Sequence, residues 1–382
     1  MDRILLYSSG IIADKKPTGG ELRFLELAEY LAKQEGTVLC CADDEETLKT
    51  FGLHADLHMN GPDRAPKFLP EEARILLSNR NTLKKIAKQG YSHVIVFDVP
   101  PAIGLALSGA RNLDLMIRKD LIGYEKVKST GNGPGKRARI GYQWICESFC
   151  LRRTEKIIFQ CVYDRDTLLA RHPAQRKKLL PRCEIQINNC NPAWIVKREE
   201  EAPGERREDD RFRVCFVGGF DDLRKGQTLF LNAAVNLIKK YPEMEFCLVG
   251  GGKRLSAYRE QYGSERIRFF GRMDNPLSVM KSCDLAVVPS LADSCPNTVM
   301  EALYSGIPVV GSRAGGIPEI LKDDNALFDL RWDALAEKVE TCYLDRNFLD
   351  ELRRKQEERK LELSFNWAER IYDIIKACSE RE

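Results

Sequence analysis

Three segments of the chain contain glycine and polar residues between an apolar run and the helical pattern that follows it. The first, residues 17–21, contains Gly19 and Gly20, where a phosphate can approach the backbone because no Cβ intervenes. Backbone amides and the helix dipole favour anions at such junctions. The segment lacks the G-x-G-x-x-G spacing and the P-loop Lys-Ser/Thr pair, which disfavours dinucleotide and P-loop chemistry. An ordinary loop before a helix is the alternative.

The second segment follows an apolar run in the second half of the chain. It contains Gly218 and Gly219, and then Arg224 and Lys225 just before the next helical pattern. A lysine in this place can reach back to a diphosphate, and a charge-assisted hydrogen bond of that kind contributes about 1.5–3 kcal/mol. A solvated lysine at a loop tip is the alternative, and the position after a strand and a glycine turn favours binding.

The third segment, residues 289–306, passes from a strand through a polar loop into a helix that Pro296 opens. Glu301 lies inside that helix. A carboxylate there can accept two hydrogen bonds from adjacent ribose hydroxyls. Alternatively, Asn297 and Thr298 cap the helix and Glu301 only favours its dipole.

The elements that must position these residues follow a βαβ rhythm, which predicts parallel, doubly wound sheets. The predicted strands cover residues 3–8, 37–41, 93–97, 156–160, 212–217, 245–249, 266–270, 284–288 and 308–310. The predicted helices cover residues 21–33, 83–88, 143–152 and 227–240.

The rhythm breaks at a charged stretch, residues 197–211, which contains Pro203-Gly204 and has no apolar period. We interpret it as a hinge between two α/β halves. Such halves predict a ligand cleft between the carboxyl ends of their sheets. The predicted parts are a first Rossmann-like domain at 1–197, a linker at 198–211, a second Rossmann-like domain at 212–364 and a C-terminal helix at 365–382.

The composition is that of a globular protein. With 382 residues, 43% of them hydrophobic, the chain is neither disordered nor fibrous and suits two domains. A net charge of +3 is too small to indicate nucleic acid. No apolar run reaches the roughly 20 residues of a spanning helix, and the N-terminal run is too short for a signal peptide. Thirteen scattered cysteines without a C-x-x-C pair indicate reduced thiols. We therefore expect a cytoplasmic protein, or one peripheral at the inner face of a membrane.

Taken together in order, these motifs resemble those of glycosyltransferase family 4, whose fold is GT-B, with two facing Rossmann-like domains and a cleft between them. The resemblance runs from Val214 to Glu319 and is weaker across the rest of the chain. The motifs that carry it are FVGGFDDLRKG, FCLVGGGKR, IRFFGRM, VVPSLADSCPNTVMEALYSGIPVVGSRAGGIPEI and the tail Phe365-Asn366-Trp367.

The resemblance assigns roles residue by residue. Lys225 matches the lysine that holds the donor diphosphate, and Glu301 matches the second acid of the E-x(7)-E motif, which binds the ribose. Asp293 falls on the first acid, which contacts the sugar and is usually Glu. Gly219 stands where an arginine usually pairs with the diphosphate, and Arg224 is its candidate replacement. The shorter acid leaves the identity of the donor sugar open.

The resemblance also completes the donor site and names candidates in the first domain. The remaining donor-binding candidates are Gly19, Gly20, Gly218, Arg272, Met273, Ser294, Pro296, Asn297 and Thr298. The histidine that the family often has at the sugar end of the cleft is missing, and the corresponding place falls near Arg118 and Asp120. The candidate catalytic residues are therefore Asp120, Arg118 and Asp293.

No metal site is expected. The D-x-D at Asp164-Arg165-Asp166, a metal signature in the other major glycosyltransferase fold, more naturally begins a helix after a strand. His54 and His58 are four residues apart but lack a third ligand. We therefore expect no cofactor, with a nucleoside diphosphate sugar as substrate and Lys225 stabilising the leaving diphosphate.

The resemblance thus implies a retaining hexosyl- or glycosyltransferase that acts on a glycan, a lipid-linked or a small-molecule acceptor. Residues 118–139 are basic and contain a glycine-rich stretch, which predicts an acceptor loop or a contact with anionic lipid; a solvated loop is the alternative. Two other functions remain open: a non-catalytic GT-B scaffold with a degenerate donor site, and a nucleotide-sugar epimerase-like enzyme. The sequence leaves the donor base, the sugar, the acceptor and the oligomeric state open.

Overall fold

The structure is a computed structural model, and it describes residues 3–8, 19–34, 36–41, 48–60, 69–128, 134–191, 193–200 and 210–377. Its contacts divide the chain into two compact units. Unit 1 consists of residues 1–122, 131–186 and 367–382, and unit 2 consists of residues 123–130 and 187–366. Most of the predicted linker, residues 201–209, lies outside the described residues, as do Pro17 and Thr18 of the first glycine segment.

Unit 1 is a parallel sheet with helices in the crossovers. Its strands are β1 (Ile4–Tyr7), β2 (Thr37–Cys41), β3 (Leu57–His58), β4 (His93–Phe97), β5 (Leu113–Ile117), β6 (Thr154–Phe159) and β7 (Cys183–Ile185), in the spatial order β3-β2-β1-β4-β5-β6-β7. Its helices are α1 (Gly19–Leu31), α2 (Glu71–Lys88), α3 (Val99–Leu107), α4 (Leu121–Lys128), α5 (Pro134–Leu151), α6 (Val162–Arg171) and α7 (Arg176–Leu179). From Gly123 onward, α4 clusters with unit 2.

Unit 2 repeats this architecture. Its strands are β8 (Arg213–Val217), β9 (Glu245–Val249), β10 (Ile267–Gly271), β11 (Leu285–Val288), β12 (Val309–Ser312) and β13 (Leu327–Phe328), in the order β10-β9-β8-β11-β12-β13. Its helices are α8 (Ala193–Glu200), α9 (Gln227–Lys240), α10 (Leu255–Tyr262), α11 (Leu277–Lys281), α12 (Asn297–Tyr304), α13 (Ile317–Leu321), α14 (Trp332–Leu344) and α15 (Arg346–Leu363).

The central strands form because their apolar runs are buried on both faces. β1 and β4 have no exposed residue, and they pair in parallel register from Ile4 with His93 to Tyr7 with Val96. After β1 the chain continues to β2 and β3 on one side of the sheet, and after β4 it continues to β5, β6 and β7 on the other side. A crevice therefore lies at the carboxyl ends of β1 and β4 in unit 1, and of β8 and β11 in unit 2.

The C-terminal helix α16 (Trp367–Lys376) belongs to unit 1, where it packs on α1. The Tyr30 and Tyr372 rings lie 5.9 Å apart. The Arg23 guanidinium lies 5.6 Å from the ring centroid of Trp367, and both side chains are almost fully buried. The apolar face of α16 is therefore part of the core of this unit.

The predicted α/β class with two parallel sheets is confirmed, and several elements match their predicted limits. These are β2, β4, β9 and α9. The expected loop at residues 118–139 is wrong, because α4 and the first turns of α5 occupy its described part; residues 129–133 lie outside the described residues. The D-x-D lies in the first turns of α6, as predicted for a helix start.

Two further expectations concern membranes and thiols. Within the described residues, no helix combines the length and apolarity that crossing a membrane requires. The twelve cysteines that the structure describes are all free thiols, and ten of them are buried. Burial raises the pKa of the Cys342 thiol to about 12 and that of the Cys183 thiol to about 11, so these side chains are neutral packing groups.

A buried carboxylate joins three neighbouring strands of unit 2 at their amino ends. Glu245 Oε1 accepts a hydrogen bond from Arg268 Nη1 at 2.9 Å, and Oε2 accepts one from Arg211 Nη1 at 3.3 Å. Arg213 Nε lies 3.6 Å from Oε2. Burial alone would raise the pKa of Glu245, but the Arg268 hydrogen bond and the charges of Arg213 and Arg211 outweigh it, and the pKa lies below its usual value.

We expect Glu245→Gln to destabilise the protein by about 2 kcal/mol near neutral pH, because the neutral amide compensates the guanidinium groups less well. Since the folded-state pKa is depressed, this stabilisation is complete above the unfolded-state pKa of about 4.3 and is lost as the pH falls through the folded-state value. Calorimetric melting curves of variant and wild type should therefore converge toward acid pH. A gap that is independent of pH would contradict this role.

Candidate functional site

The crevice of unit 2 is formed by loops that follow β8 and β11, and glycine lets them approach. Gly226 has φ 75°, and a Cβ there would lie 1.9 Å from the Pro289 carbonyl oxygen. A Cβ on Gly218 would lie 2.9 Å from the ring of Phe216, which is buried in the core. Both glycines are therefore required by the packing. At Gly219 a Cβ would meet its nearest neighbour, the Gly251 carbonyl oxygen, at an ordinary 3.8 Å.

Hydrogen bonds join the loop after β8 to the loop after β9. Phe220 N donates to the Gly251 carbonyl at 2.9 Å. The Asp221 carboxylate accepts from the backbone amides of Lys253 at 2.9 Å and Arg254 at 3.1 Å. Phe220 itself is fully buried and therefore anchors this loop in the core. The two strand ends thus form one rigid rim.

The candidates for the nucleotide base lie on the adjoining strand end. Arg272 follows β10 and is exposed, whereas Met273 packs against the core. A Cβ on Gly251 would lie 3.0 Å from the Cβ of Arg272, so the loops after β9 and β10 touch. The predicted base-side residues are therefore close to the loop that contains Gly218 and Gly219.

Arg224 is held on several sides. Its Nε and Nη2 donate to the two carboxylate oxygens of Asp222 at 3.0 and 2.7 Å, and its Nη1 donates to the Ala292 carbonyl at 3.4 Å. Tyr124 from α4 covers it at 4.0 Å. Burial would lower the pKa of Arg224, but Asp222 raises it above the usual value. The predicted replacement for the missing arginine is thus occupied by Asp222.

Lys225 reaches across the crevice. Its Nζ lies 2.6 Å from Asp293 Oδ2, in the loop that follows β11. The Asp293 backbone is fixed by the turn before α13, where Gly316 N donates to the Asp293 carbonyl at 2.9 Å. The lysine and the acid that the sequence assigned to diphosphate and sugar are therefore direct neighbours.

The remaining candidates lie at the start of α12. Ser294 and Glu301 are buried, at 4% and 6% exposure, and Pro296 is the N-cap residue with extended backbone. Thr298 Oγ1 donates to the Val217 carbonyl at 3.5 Å, which ties α12 to the end of β8. Asn297, the first residue of α12, is half-buried and makes no side-chain capping hydrogen bond. Capping therefore does not explain Asn297 or Thr298.

In unit 1, Arg118 spans the equivalent crevice. Its Nε and Nη2 donate to Asp98 Oδ2 at 3.1 and 2.8 Å, and its Nη1 donates to the Gly20 carbonyl at 2.8 Å. Its guanidinium also lies over the ring of Phe97, 4.9 Å from the centroid. The start of α1, where Gly19 and Gly20 lie, is thereby tied to the carboxyl ends of β4 and β5.

Asp98 is strained. Its φ of 64° and ψ of 164° fall in a region populated essentially by glycine, at a cost of about 1–3 kcal/mol. It is nearly buried, and its carboxylate also accepts from the Arg118 amide at 3.0 Å. Sequence reasoning missed this residue; the signal was an acid between the end of an apolar strand and Pro100-Pro101.

Asp120 belongs to a second charged cluster, separate from Arg118. Arg171 Nη1 donates to Asp120 Oδ2 at 2.9 Å, and Arg171 Nη2 donates to Glu147 Oε2 at 3.0 Å. His172 Nε2 lies 2.7 Å from Glu147 Oε1 and stacks on Trp144. A cavity with room for about one water molecule, about 10 Å³, adjoins this cluster. Its polar lining consists of Asp98, Lys119, Asp120, Glu147, Asp164 and Arg171.

Among the residues that the structure describes, no group of three or more His, Cys, Asp or Glu side chains is arranged to hold a metal ion. His93 Nδ1 lies 3.0 Å from Asp114 Oδ2 inside the sheet, a structural pair between β4 and β5.

The comparison with protein families concerns the part of the chain that forms this crevice. Residues 211–345 match the family described as Glycosyl transferases group 1. These residues thus resemble a group 1 glycosyl transferase domain. The matched range contains Lys225, Asp293 and Glu301, so the resemblance seen in the sequence is confirmed at the level of group 1, and family 4 stays a prediction.

Relatives with names match parts of the chain. It is 33% identical over 118 residues to the phosphatidyl-myo-inositol mannosyltransferase of Mycolicibacterium smegmatis, and this stretch covers 30% of each protein. It is 25% identical over 224 residues to the D-inositol 3-phosphate glycosyltransferase of Corynebacterium kroppenstedtii, which covers 52% of this chain and 47% of that protein. The chain thus spans less than half the length of either relative.

Solved structures share the fold over the whole chain. Sucrose-phosphate synthase from Thermosynechococcus elongatus aligns over 100% of both chains with a TM-score of 0.73 and 18% identity. Anabaena HepE in complex with UDP-glucose aligns over 99% of both chains with a TM-score of 0.67 and 17% identity. The GT-B fold class is thereby confirmed.

The strain at Asp98 and its pairing with Arg118 can be separated by a double-mutant cycle. In an Arg118→Met background the carboxylate has lost its guanidinium, so Asp98→Gly should relieve strain and stabilise the protein by about 1–3 kcal/mol. In the wild-type background the same change also removes the ion pair, and the gain should disappear. Thermal unfolding of the four proteins measures the difference. Equal effects of Asp98→Gly in both backgrounds would show that the pair does not hold the strained conformation.

Proposed function

We propose that the chain is a retaining glycosyltransferase that moves a sugar from a nucleoside diphosphate sugar to a glycan, lipid-linked or small-molecule acceptor. The observation that carries this proposal is the crevice of the group 1 domain, where Lys225 and Asp293 meet at 2.6 Å beside a glycine rim. A crevice of this kind, outside the carboxyl ends of parallel strands, is where such sheets bind ligands. The named relatives, a mannosyltransferase and a glycosyltransferase, support the same reaction class.

In this proposal the donor lies along the rim. Lys225 and the backbone of the loop after β8 hold the diphosphate, Glu301 accepts from the ribose hydroxyls, and Arg272 and Met273 lie beside the base. Asp293 faces the sugar. The burial of Glu301 supports its role, because a carboxylate in low dielectric binds two hydroxyl donors more strongly than one in water.

The proposed reaction retains the anomeric configuration. The bond from the anomeric carbon to the leaving phosphate oxygen breaks, and the acceptor oxygen forms its bond on the same face. The leaving phosphate takes the acceptor proton, so the reaction does not need the pair of carboxylates that a double displacement uses. Lys225 and the loop amides stabilise the charge that develops on the diphosphate. We propose that this cation suffices without an essential metal ion.

Unit 1 supplies the acceptor side in this proposal. Arg118 and Asp120 remain the candidates near the reacting sugar, and each is held by its own partner, Asp98 and Arg171. Exposed residues of α5 support a peripheral contact with an anionic membrane from the cytoplasm. They are Arg137, with Trp144 at 43% and Ile145 at 62% exposure.

The donor site is tested by thermal stabilisation with UDP, GDP, ADP and CMP, with and without Mg²⁺. A ligand at about 100 times its dissociation constant adds about 2.7 kcal/mol. We expect one diphosphate to stabilise the wild type without Mg²⁺, and Glu301→Gln to lose about tenfold in affinity, because the amide accepts from only one oxygen. Glu351→Gln, on the exposed face of α15, is the matched control and should bind as the wild type does.

The other outcomes decide between the remaining functions. If sugar conjugates bind but are neither transferred nor slowly hydrolysed, the non-catalytic scaffold is favoured. Epimerised sugar in place of a transferred one would favour the epimerase-like enzyme. If none of the nucleotides stabilises the protein, the assignment of this crevice to a nucleotide is wrong.

A further inference from the structure

The ion pair in the crevice of unit 2 has a consequence for any ligand that needs Lys225. In the free protein Lys225 Nζ is 2.6 Å from Asp293 Oδ2, and the two side chains are only 26% and 15% exposed. A phosphate oxygen that binds this ammonium group, which has three N–H donors, therefore has to compete with the carboxylate for it. Because the pair is largely shielded from water, the exchange matters more than it would on an open surface.

The backbone leaves Asp293 little freedom to retreat. Gly315 has φ 56°, and a Cβ there would lie 2.2 Å from the Asp293 carbonyl oxygen. Gly316 N donates to that same oxygen at 2.9 Å. The turn before α13 thus fixes the main chain of Asp293. An aspartate side chain can then move only by rotation about its two side-chain torsions. Its carboxylate can therefore move only a short distance from Lys225.

The neighbouring cation, Arg224, does not replace Lys225 as the partner of Asp293. Arg224 uses Nε and Nη2 for its own carboxylate, Asp222, and Nη1 for the Ala292 carbonyl. Hydrogen bonding to Arg224 also holds the pKa of Asp222 below its usual value, although burial alone would raise it, so Asp222 remains ionised and paired. Each cation of the loop thus has its own counter-ion: Arg224 pairs with an acid of its own loop and reaches only a carbonyl across the crevice, whereas the Lys225 ion pair bridges the crevice.

We propose that Asp293 is a specificity-determining residue that disfavours a bare nucleoside diphosphate and thereby helps to release the product. This inference rests on the proposed function. A diphosphate without sugar competes for Lys225 and places negative phosphate beside a carboxylate whose charge is then less well compensated. An intact donor brings sugar hydroxyls, which donate to the released carboxylate and compensate it. After transfer those hydroxyls leave, and Asp293 recaptures Lys225 from the diphosphate.

The test measures two affinities by isothermal titration calorimetry. The probes are UDP with UDP-glucose, GDP with GDP-mannose and ADP with ADP-glucose, and the pair that binds the wild type is carried forward. For Asp293→Asn we expect the free diphosphate to bind about tenfold more tightly, because the competing carboxylate is gone. The sugar conjugate should gain less than about threefold, because the hydroxyls keep only one uncharged acceptor oxygen in place of a carboxylate. The preference between the two ligands thus shifts toward the diphosphate.

The controls separate this inference from the proposed function. Asp350→Asn makes the same chemical change in an exposed ion pair of α15 and should leave both affinities as in the wild type. Asp293→Ser also removes the carboxylate and replaces the amide variant if that one does not fold. If a probe pair binds the wild type but both affinities change equally in the Asp293 variants, the inference is wrong and the proposed function stands. If no probe binds the wild type, both fail.

Discussion

Each unit depends on one constraint of a doubly wound parallel sheet, the crevice that opens where neighbouring strands lead the chain in opposite directions. In unit 2 the loops on either side of this crevice approach so closely that glycine is required, as at Gly226 against Pro289 and Gly315 against Asp293. That approach puts Lys225 and Asp293 within 2.6 Å of each other. The position of this lysine, which forms an ion pair across the crevice, thus follows from backbone packing.

The crevice of unit 1 contains a different arrangement of charged residues. This crevice, between β1 and β4, is bridged by Arg118, which donates to the Gly20 carbonyl and pairs with Asp98 on the β4 side, and here the acid carries backbone strain. A guanidinium with two anchors is a rigid positioning group, whereas the ammonium group of Lys225 can exchange its partner. This difference fits the proposed roles of the two units, a donor side that binds and releases a diphosphate and an acceptor side that keeps its shape.

Patterns local in sequence predicted much of the fold. Apolar runs gave β2, β4 and β9 with their observed limits, because strands buried on both faces contain little else. β5 was missed as a strand because Asp114 interrupts its apolar run, and only the fold shows that His93 compensates this charge. Helix α4 and the first turns of α5 were mistaken for a loop because their many charges face solvent and hide the apolar period, whereas the end of α5 falls in the predicted helix 143–152.

The donor candidates came from motifs whose order in the chain reflects the order of strand ends, so the sequence could place Lys225, Asp293 and Glu301 on one edge. The partners could not be predicted in the same way. Arg171 and Asp120 are 51 positions apart, and Arg118 and Gly20 are 98 apart. Such pairs depend on the tertiary fold, and the occupied state of Arg224 depends on a rotamer that no motif encodes.

The central claim is that Lys225 makes this crevice a diphosphate site. The most direct measurement compares the affinities of a nucleoside diphosphate and the matching monophosphate for the wild type and for Lys225→Met, which keeps the length of the side chain without its charge. Our account predicts that the wild type prefers the diphosphate by about tenfold or more, and that the variant binds both about equally, because one charge-assisted hydrogen bond is lost. An unchanged preference in Lys225→Met would contradict it.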